Sequence, residues 1–209
     1  KIFLSGGDTV FSNKLSFTIT SIGFAHDIIY RNKAKINDDI YVSGNLGDSY
    51  LGLLVLKNKI KLNKLLIKYF TNQYFMPNIP IKLTDQIKNF ANTSIDLSDG
   101  LLADMDKMIN SQKFSYKIFL KEIPISDNLK KVLNFKKLSK INYISKGDDY
   151  QILFTASKNK RGIIKKISSS CRIKLTKIGS IQSIGKKSSL IDGKNRTISI
   201  KNKGYFHKF

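Results

Sequence analysis

Four short stretches of this 209-residue chain set glycine beside aspartate: Gly6-Gly7-Asp8-Thr9, Gly47-Asp48-Ser49, Asp96-Leu97-Ser98-Asp99-Gly100 and Gly147-Asp148-Asp149-Tyr150. Glycine lets a backbone turn sharply or bring its N–H groups close to a ligand. A carboxylate beside it can hold a hard cation such as Mg²⁺, which prefers oxygen ligands and accompanies phosphates. Any one stretch alone reads more simply as a turn. Gly47-Asp48 could also just open a helix, with Asp48 favourable to the helix dipole. The Asp96 stretch says most, because it ends an apolar strand pattern and an amphipathic helix follows at once. Ser98 and Asp99 then sit where the first helical N–H groups are free, a ready seat for a phosphate. Two carboxylates in the same place repel a bare phosphate, and a bridging metal ion reconciles them. A cap by Ser98 or Asp99 would account for one of these residues but leave Asp96 unexplained.

The elements that must position these stretches follow from periodicity. Residues 15–24 (LSFTITSIGF) and Asp39–Ser43 read as strands, and Gly47 to about Lys57 as a helix with Leu51, Leu54 and Val55 on one side. Lys61–Phe70 and Lys82–Phe90 read as helices around a loop with Pro77 and Pro80. Ser94–Leu97 is a short strand, and the helix after Gly100 buries Leu101, Leu102, Met105, Met108 and Ile109. Phe114–Lys121 is a strand, Asp127–Leu138 a helix capped by Ser126, Gln151–Ala156 a strand and Arg161–Ser169 a helix. Lys174–Ile184 and Arg196–Lys201 read as late strands around an Asp192-Gly193 turn. The irregular mixture predicts an α+β or α/β class with a layered sheet.

Composition narrows the chemistry. One cysteine, Cys171, leaves no disulfide scaffold or Cys-based zinc site, and His26 and His207 are too few and too far apart for a His-based one. No apolar run approaches the ~20 residues of a membrane span, and no secretory signal is visible, so a cytoplasmic protein is expected. The chain opens at Lys1 straight into an apolar segment, which reads as a piece of a longer protein. With 37 basic against 15 acidic residues the net charge is +22, which taken alone suggests nucleic acid. Only four of the basic residues are arginine, the side chain suited to bidentate phosphate and base contacts. The lysines are spread along a chain rich in Ile and Asn, as an AT-biased genome encodes. No specific nucleic-acid partner is therefore expected, and a phosphorylated small molecule gains from the same field.

Read in order, SGGDT (5–9), RNKAK (31–35) with DDIYVSGNLGDSYLGL (38–53), SIDLSDGLLADM (94–105), KGDDYQILFT (146–155) and GYFHKF (204–209) resemble the thiamine-monophosphate kinase family. The resemblance spans essentially the whole chain and is weak at about 58–92 and 110–143. It implies an α/β sandwich of the aminoimidazole-ribotide-synthetase type, and ATP-dependent phosphorylation of thiamine monophosphate to thiamine diphosphate with Mg²⁺. It further implies Asp8, Asp96 and Asp99 as Mg²⁺ ligands, and Gly7, Asp8, Arg31 and Ser98 as ATP contacts. Asp149, Gln151 and Tyr205 would line the thiamine end, although Tyr205 reads equally well as a C-terminal hydrophobic plug.

Two residues depart from the family pattern: Lys146 stands where glycine is usual, and Gln151 where glutamate is usual. The resemblance also implies that most of an N-terminal domain, with a further Asp-Asp metal motif, is missing. Residues 1–35 would be its remnant and 36–209 the second domain. Little activity is expected of such a chain alone, and a homodimer is possible for the family. A non-catalytic binding protein of the same ancestry and a basic nucleic-acid module stay open as alternatives.

Overall fold

The computed structural model describes residues 3–25, 27–199 and 204. Its organising element is β1 (Asp39–Ser43), every residue of which is buried. Ile40 and Val42 enter one apolar cluster and Tyr41 another. This is the period-two alternation of a strand covered on both faces. β1 pairs antiparallel with β4 (Ile152–Ala156) on one side and β5 (Leu175–Gln182) on the other. β2 (Thr93–Asp96) extends the sheet beyond β4, and β3 (Ser115–Phe119) extends it beyond β5, both antiparallel. β6 (Ser189–Ile191) runs parallel to β3, and β7 (Thr197–Ile198) completes the order β2-β4-β1-β5-β3-β6-β7.

Helices cover both faces. On one, α4 (Leu101–Met108) seats Leu101, Leu102, Met105 and Met108 against Ile40, Val42, Ile118 and Leu153. On the other, α3 (Ile81–Ile87) and α7 (Arg161–Cys171) pack on Tyr41 and Phe154, whose rings stack at 5.2 Å. Beside the sheet, α1 (Asp48–Leu56), α2 (Lys64–Phe75), α5 (Asp127–Phe135) and the single turn α6 (Ile141–Ile144) bury Leu51, Phe70, Leu129 and Tyr143 together. Among the described residues no helix is long and apolar enough to cross a membrane.

Several expected elements are corrected. Residues 15–24 form no strand: Phe17 and Ile19 alternate with polar neighbours but stay exposed, and no other strand pairs with them among the described residues. Alternation qualifies a segment for a sheet, but the ladder partner makes the strand. The second helix starts later than Lys61, because the Asn63 side chain accepts from the Leu66 N–H (3.0 Å) and caps it there. The Asp192 turn joins β7 to β6, a strand missed in the sequence, and not to β5. The Ser126 cap is as expected, with its Oγ accepting from the Leu129 N–H (3.0 Å).

β4 is antiparallel to both β1 and β2, with Val42 and Ile95 opposite Leu153. The chain therefore leaves β1 at Gly44–Asp48, leaves β2 at Leu97–Gly100, and enters β4 through Gly147–Gln151, all at the same end of the sheet. Three of the four glycine-aspartate stretches share that end.

Candidate functional site

The stretch before β4 and the stretch after β2 lie against each other. Asp148 N–H donates to the Ser98 carbonyl (3.0 Å), Tyr150 N–H to the Leu97 carbonyl (2.9 Å), and Leu97 N–H to the Gln151 carbonyl (2.8 Å). Contact is closest at Gly147, whose φ is +77° and where a Cβ would lie 2.0 Å from the Ser98 carbonyl oxygen. Gly100, with φ +117°, faces the Ser145 carbonyl in the same way, a Cβ falling 2.7 Å from its oxygen. These glycines let two backbone segments cross, where the sequence suggested approach to a ligand.

The seat expected for a phosphate is filled from within. The N–H groups of Ser98, Asp99 and Gly100 all donate to Asp104 Oδ2, at 3.1, 2.9 and 3.0 Å. Neither Ser98 nor Asp99 caps α4; the N-cap is Gly100, with no side-chain cap, and Asp104 folds back from the first turn. Burial raises the Asp104 carboxyl, while the Asp99 and Gly100 N–H groups and Lys107 pull it back down. Sequence reading missed this residue. Its signal was an acid in the first helical turn just after the Ser-Asp-Gly corner, close to where a capping box places its returning carboxylate.

Around this corner lies a cavity of about 490 Å³, lined by Tyr30, Arg31, Asp96, Ser98, Asp104 and Lys107. Arg31 reaches it because its neighbours are tied down. Thr93 Oγ1 donates to the Tyr30 carbonyl (2.8 Å), and Asn32 N–H donates to the Met108 carbonyl at the end of α4 (2.8 Å). The structure thus brings together Arg31, Asp96 and Ser98. Asp99 sits beside them, ion-paired with Lys107. Gly7 and Asp8 are not brought there: Asp8 is exposed and accepts from the Thr9 N–H (2.7 Å), and Gly7 has no neighbour within 4 Å of a built Cβ. No three His, Cys, Asp or Glu among the described residues are grouped to hold a metal. Asp96 lines this cavity and Asp99 adjoins it through Lys107, and one or two carboxylates completed by water and substrate phosphates are the kind of set Mg²⁺ takes.

A second cavity, of about 570 Å³, opens on the other side of the crossing and includes Gly44, Asp48, Tyr69, Asn78, Asp149 and Gln151 in its lining. Both Asp149 carboxylate oxygens accept from the Gly47 N–H, at 2.8 and 3.0 Å. Burial, with Asp48 and Asp148 nearby, pushes the Asp149 carboxyl up to about 8. Asp48 opens α1 as the sequence suggested, but it is buried, and burial raises it too. It accepts from Ser126 Oγ (2.7 Å) and from the Tyr69 hydroxyl (2.9 Å), whose own pKa burial pushes up to about 12. Asp149 and Gln151 therefore share one cavity, while Tyr205 lies outside the described residues.

Gln151 is wired through both ends of its amide. Oε1 accepts from Ser43 Oγ (2.8 Å), and Nε2 donates to the Asn78 carbonyl (2.8 Å). A glutamate here would face that carbonyl with no proton to give and would add a third buried acid to a cavity that already holds Asp48 and Asp149. Gln151→Glu is expected to lower stability at neutral pH by about 1–3 kcal/mol, read as a lower urea midpoint. An unchanged midpoint would show that the Asn78 loop turns away at no cost.

No family model matches the chain. Among curated proteins, the thiamine-monophosphate kinase of Buchnera aphidicola subsp. Acyrthosiphon pisum (strain APS) is 35% identical over 208 residues, covering 98% of this chain and 63% of that protein. Among solved structures, the thiamine-monophosphate kinase from Stenotrophomonas maltophilia K279a superposes with a TM-score of 0.67 at 28% identity, over 79% of this chain and 53% of that one. AaThiL complexed with AMPPCP and TMP superposes with a TM-score of 0.68 at 26% identity, over 85% of this chain and 54% of that one. The chain is thus similar to thiamine-monophosphate kinases along nearly its whole length, while spanning less than two thirds of the curated relative and about half of the solved chains. The fold is the α/β sandwich of the aminoimidazole-ribotide-synthetase type that the resemblance implied.

Proposed function

We propose that this chain belongs to the thiamine-monophosphate kinase family and that its activity is ATP-dependent phosphorylation of thiamine monophosphate to thiamine diphosphate. The observation that carries the reading is the meeting of Arg31, Asp96 and Ser98 in one cavity, across the loop crossing from the cavity of Asp149 and Gln151. The first cavity suits the nucleotide. There the Arg31 guanidinium offsets phosphate charge, and the Ser98 hydroxyl gives and accepts a hydrogen bond. Asp96 and Asp99 would hold Mg²⁺, which when bound neutralises phosphate oxygens as charge moves from the γ-phosphorus to the leaving oxygen. The second cavity suits the thiamine end, where the buried Asp149 carboxyl, raised to about 8, can give a hydrogen bond to a ligand as well as accept one. An oxygen of the thiamine phosphate attacks the γ-phosphorus of ATP, and the bond to the ADP oxygen breaks. The residues' part is to hold the two phosphates in line. Gly7, Asp8 and Tyr205 join the reading on the resemblance alone.

We further divide the chain into 1–35, the end of an N-terminal ATP-binding domain, and 36–209, the second domain. Among the described residues, all seven strands and all seven α-helices lie beyond residue 38, and residues 3–25 contain none, which supports that division. A cytoplasmic location and a homodimer belong to the same reading.

Formation of thiamine diphosphate from thiamine monophosphate, ATP and Mg²⁺ tests the proposal. Because Asp8 is held only locally, slow turnover is expected from the 209-residue chain alone. Faster turnover is expected when the part of the Buchnera relative that this chain does not cover is added as a second polypeptide. No product under either condition, with no binding of thiamine monophosphate, would overturn the reading.

A further inference from the structure

Lys107 lies on α4, eight residues after Asp99, and its side chain turns back to the Ser-Asp-Gly corner. Its ammonium is ion-paired with Asp99 Oδ2 and stands 3.2 Å from Asp104 Oδ1. It also lines the cavity that holds Arg31, Asp96 and Ser98. Asp104 is engaged on its other oxygen by three backbone N–H groups, so Lys107 is held at a corner that cannot easily rearrange. An ammonium is a compact point charge with three donors on a flexible stem. It can join a carboxylate to a phosphate much as a hard cation does, without demanding octahedral geometry.

We propose that Lys107 is a tethered cation that occupies the Asp99 carboxylate and so competes there with a divalent metal. The inference rests on the reading of Asp99 as a metal ligand. Two cations on one carboxylate repel each other, so the chain as it stands should hold a divalent ion at Asp99 weakly. Lys107 is then a positioning residue. It sets where positive charge sits beside an incoming phosphate and takes no part in bond making.

The test is Mn²⁺ binding by the 209-residue chain, read from the free-ion electron paramagnetic resonance signal, with circular dichroism to confirm folding. Lys107→Gln should bind Mn²⁺ about tenfold more tightly, and adding Asp99→Asn to that variant should abolish the gain. Lys107→Arg keeps a cation and should match the parent chain, which separates loss of charge from loss of fold. Equal affinity in the parent and Lys107→Gln chains, or a gain that survives Asp99→Asn, would overturn the inference. In the first of these cases Asp99→Asn alone reports on the underlying reading. Weakened binding leaves Asp99 a metal ligand that Lys107 does not guard, and unchanged binding removes Asp99 from the metal site as well.

Discussion

Asp104→Ala is expected to cost the folded chain about 3 kcal/mol or more, because it strands three backbone donors at once. The N–H groups of Ser98, Asp99 and Gly100 converge on Asp104 Oδ2 at 2.9–3.1 Å, and the residue is about 1% exposed. A buried donor without a partner costs about 1–3 kcal/mol. Water can serve the Ser98 and Asp99 groups better than that of Gly100, which is buried against Ser145. In a chain of this size each kcal/mol lowers the thermal midpoint by roughly 2–4 °C, so a fall of roughly 6–12 °C is expected. Asp104→Asn keeps an oxygen where the three donors point, but turns its amide toward Lys107, and should cost about half as much. The loss should reach the nucleotide cavity too, since the same corner places Ser98 and Asp99. An Asp104→Ala midpoint within about 1 °C of the parent would mean that the corner finds other acceptors.

The second large effect is the dependence of stability on pH that Asp149 contributes. Burial raises its carboxyl from the ordinary 3.8 to about 8. The folded chain therefore keeps a proton that the unfolded chain has already released. This favours folding fully below about pH 4 and is lost progressively as pH rises toward 8. Asp149→Asn removes the titration while retaining an oxygen that can accept from the Gly47 N–H. Relative to that variant, the parent should lose a few kcal/mol of stability between pH 4 and pH 8. Asp48 is also raised by burial and has the same sign, but it remains in both chains, so the difference between them isolates Asp149. Urea unfolding across this range measures the effect, and parallel curves for the two chains would show that Asp149 ionises in the fold as it does outside it. An acid that stays protonated near neutral pH can give a hydrogen bond to a ligand in its cavity as well as accept one.

The sequence by itself determined the features that are settled within a few residues. SIDLSDGLLADM is a strand, a corner and a helix because apolar period two gives way to period 3.6 across a glycine. Asp127 follows a Ser126 cap because the hydroxyl reaches an N–H three residues on. The order of the glycine-aspartate stretches was enough to reveal the family resemblance. Tertiary structure decided what each stretch does. Arg31 meets Ser98 because Tyr30 and Asn32 are pinned to Thr93 and Met108. Asp149 meets the Gly47 N–H across 102 residues, and the Gln151 amide meets the Asn78 carbonyl across 73. Residues 15–24 have the alternation of a strand and none of its pairing. The physical reason is the same in each case. Propensity and capping act over one turn of backbone, so local sequence contains them. Whether a buried N–H, ammonium or carboxylate finds its partner depends on the order β2-β4-β1-β5, which sets neighbours far apart in the chain. At the Ser-Asp-Gly corner local reading seated a phosphate with a bridging metal ion on the free helical N–H groups, and the folded chain supplies Asp104 to them instead.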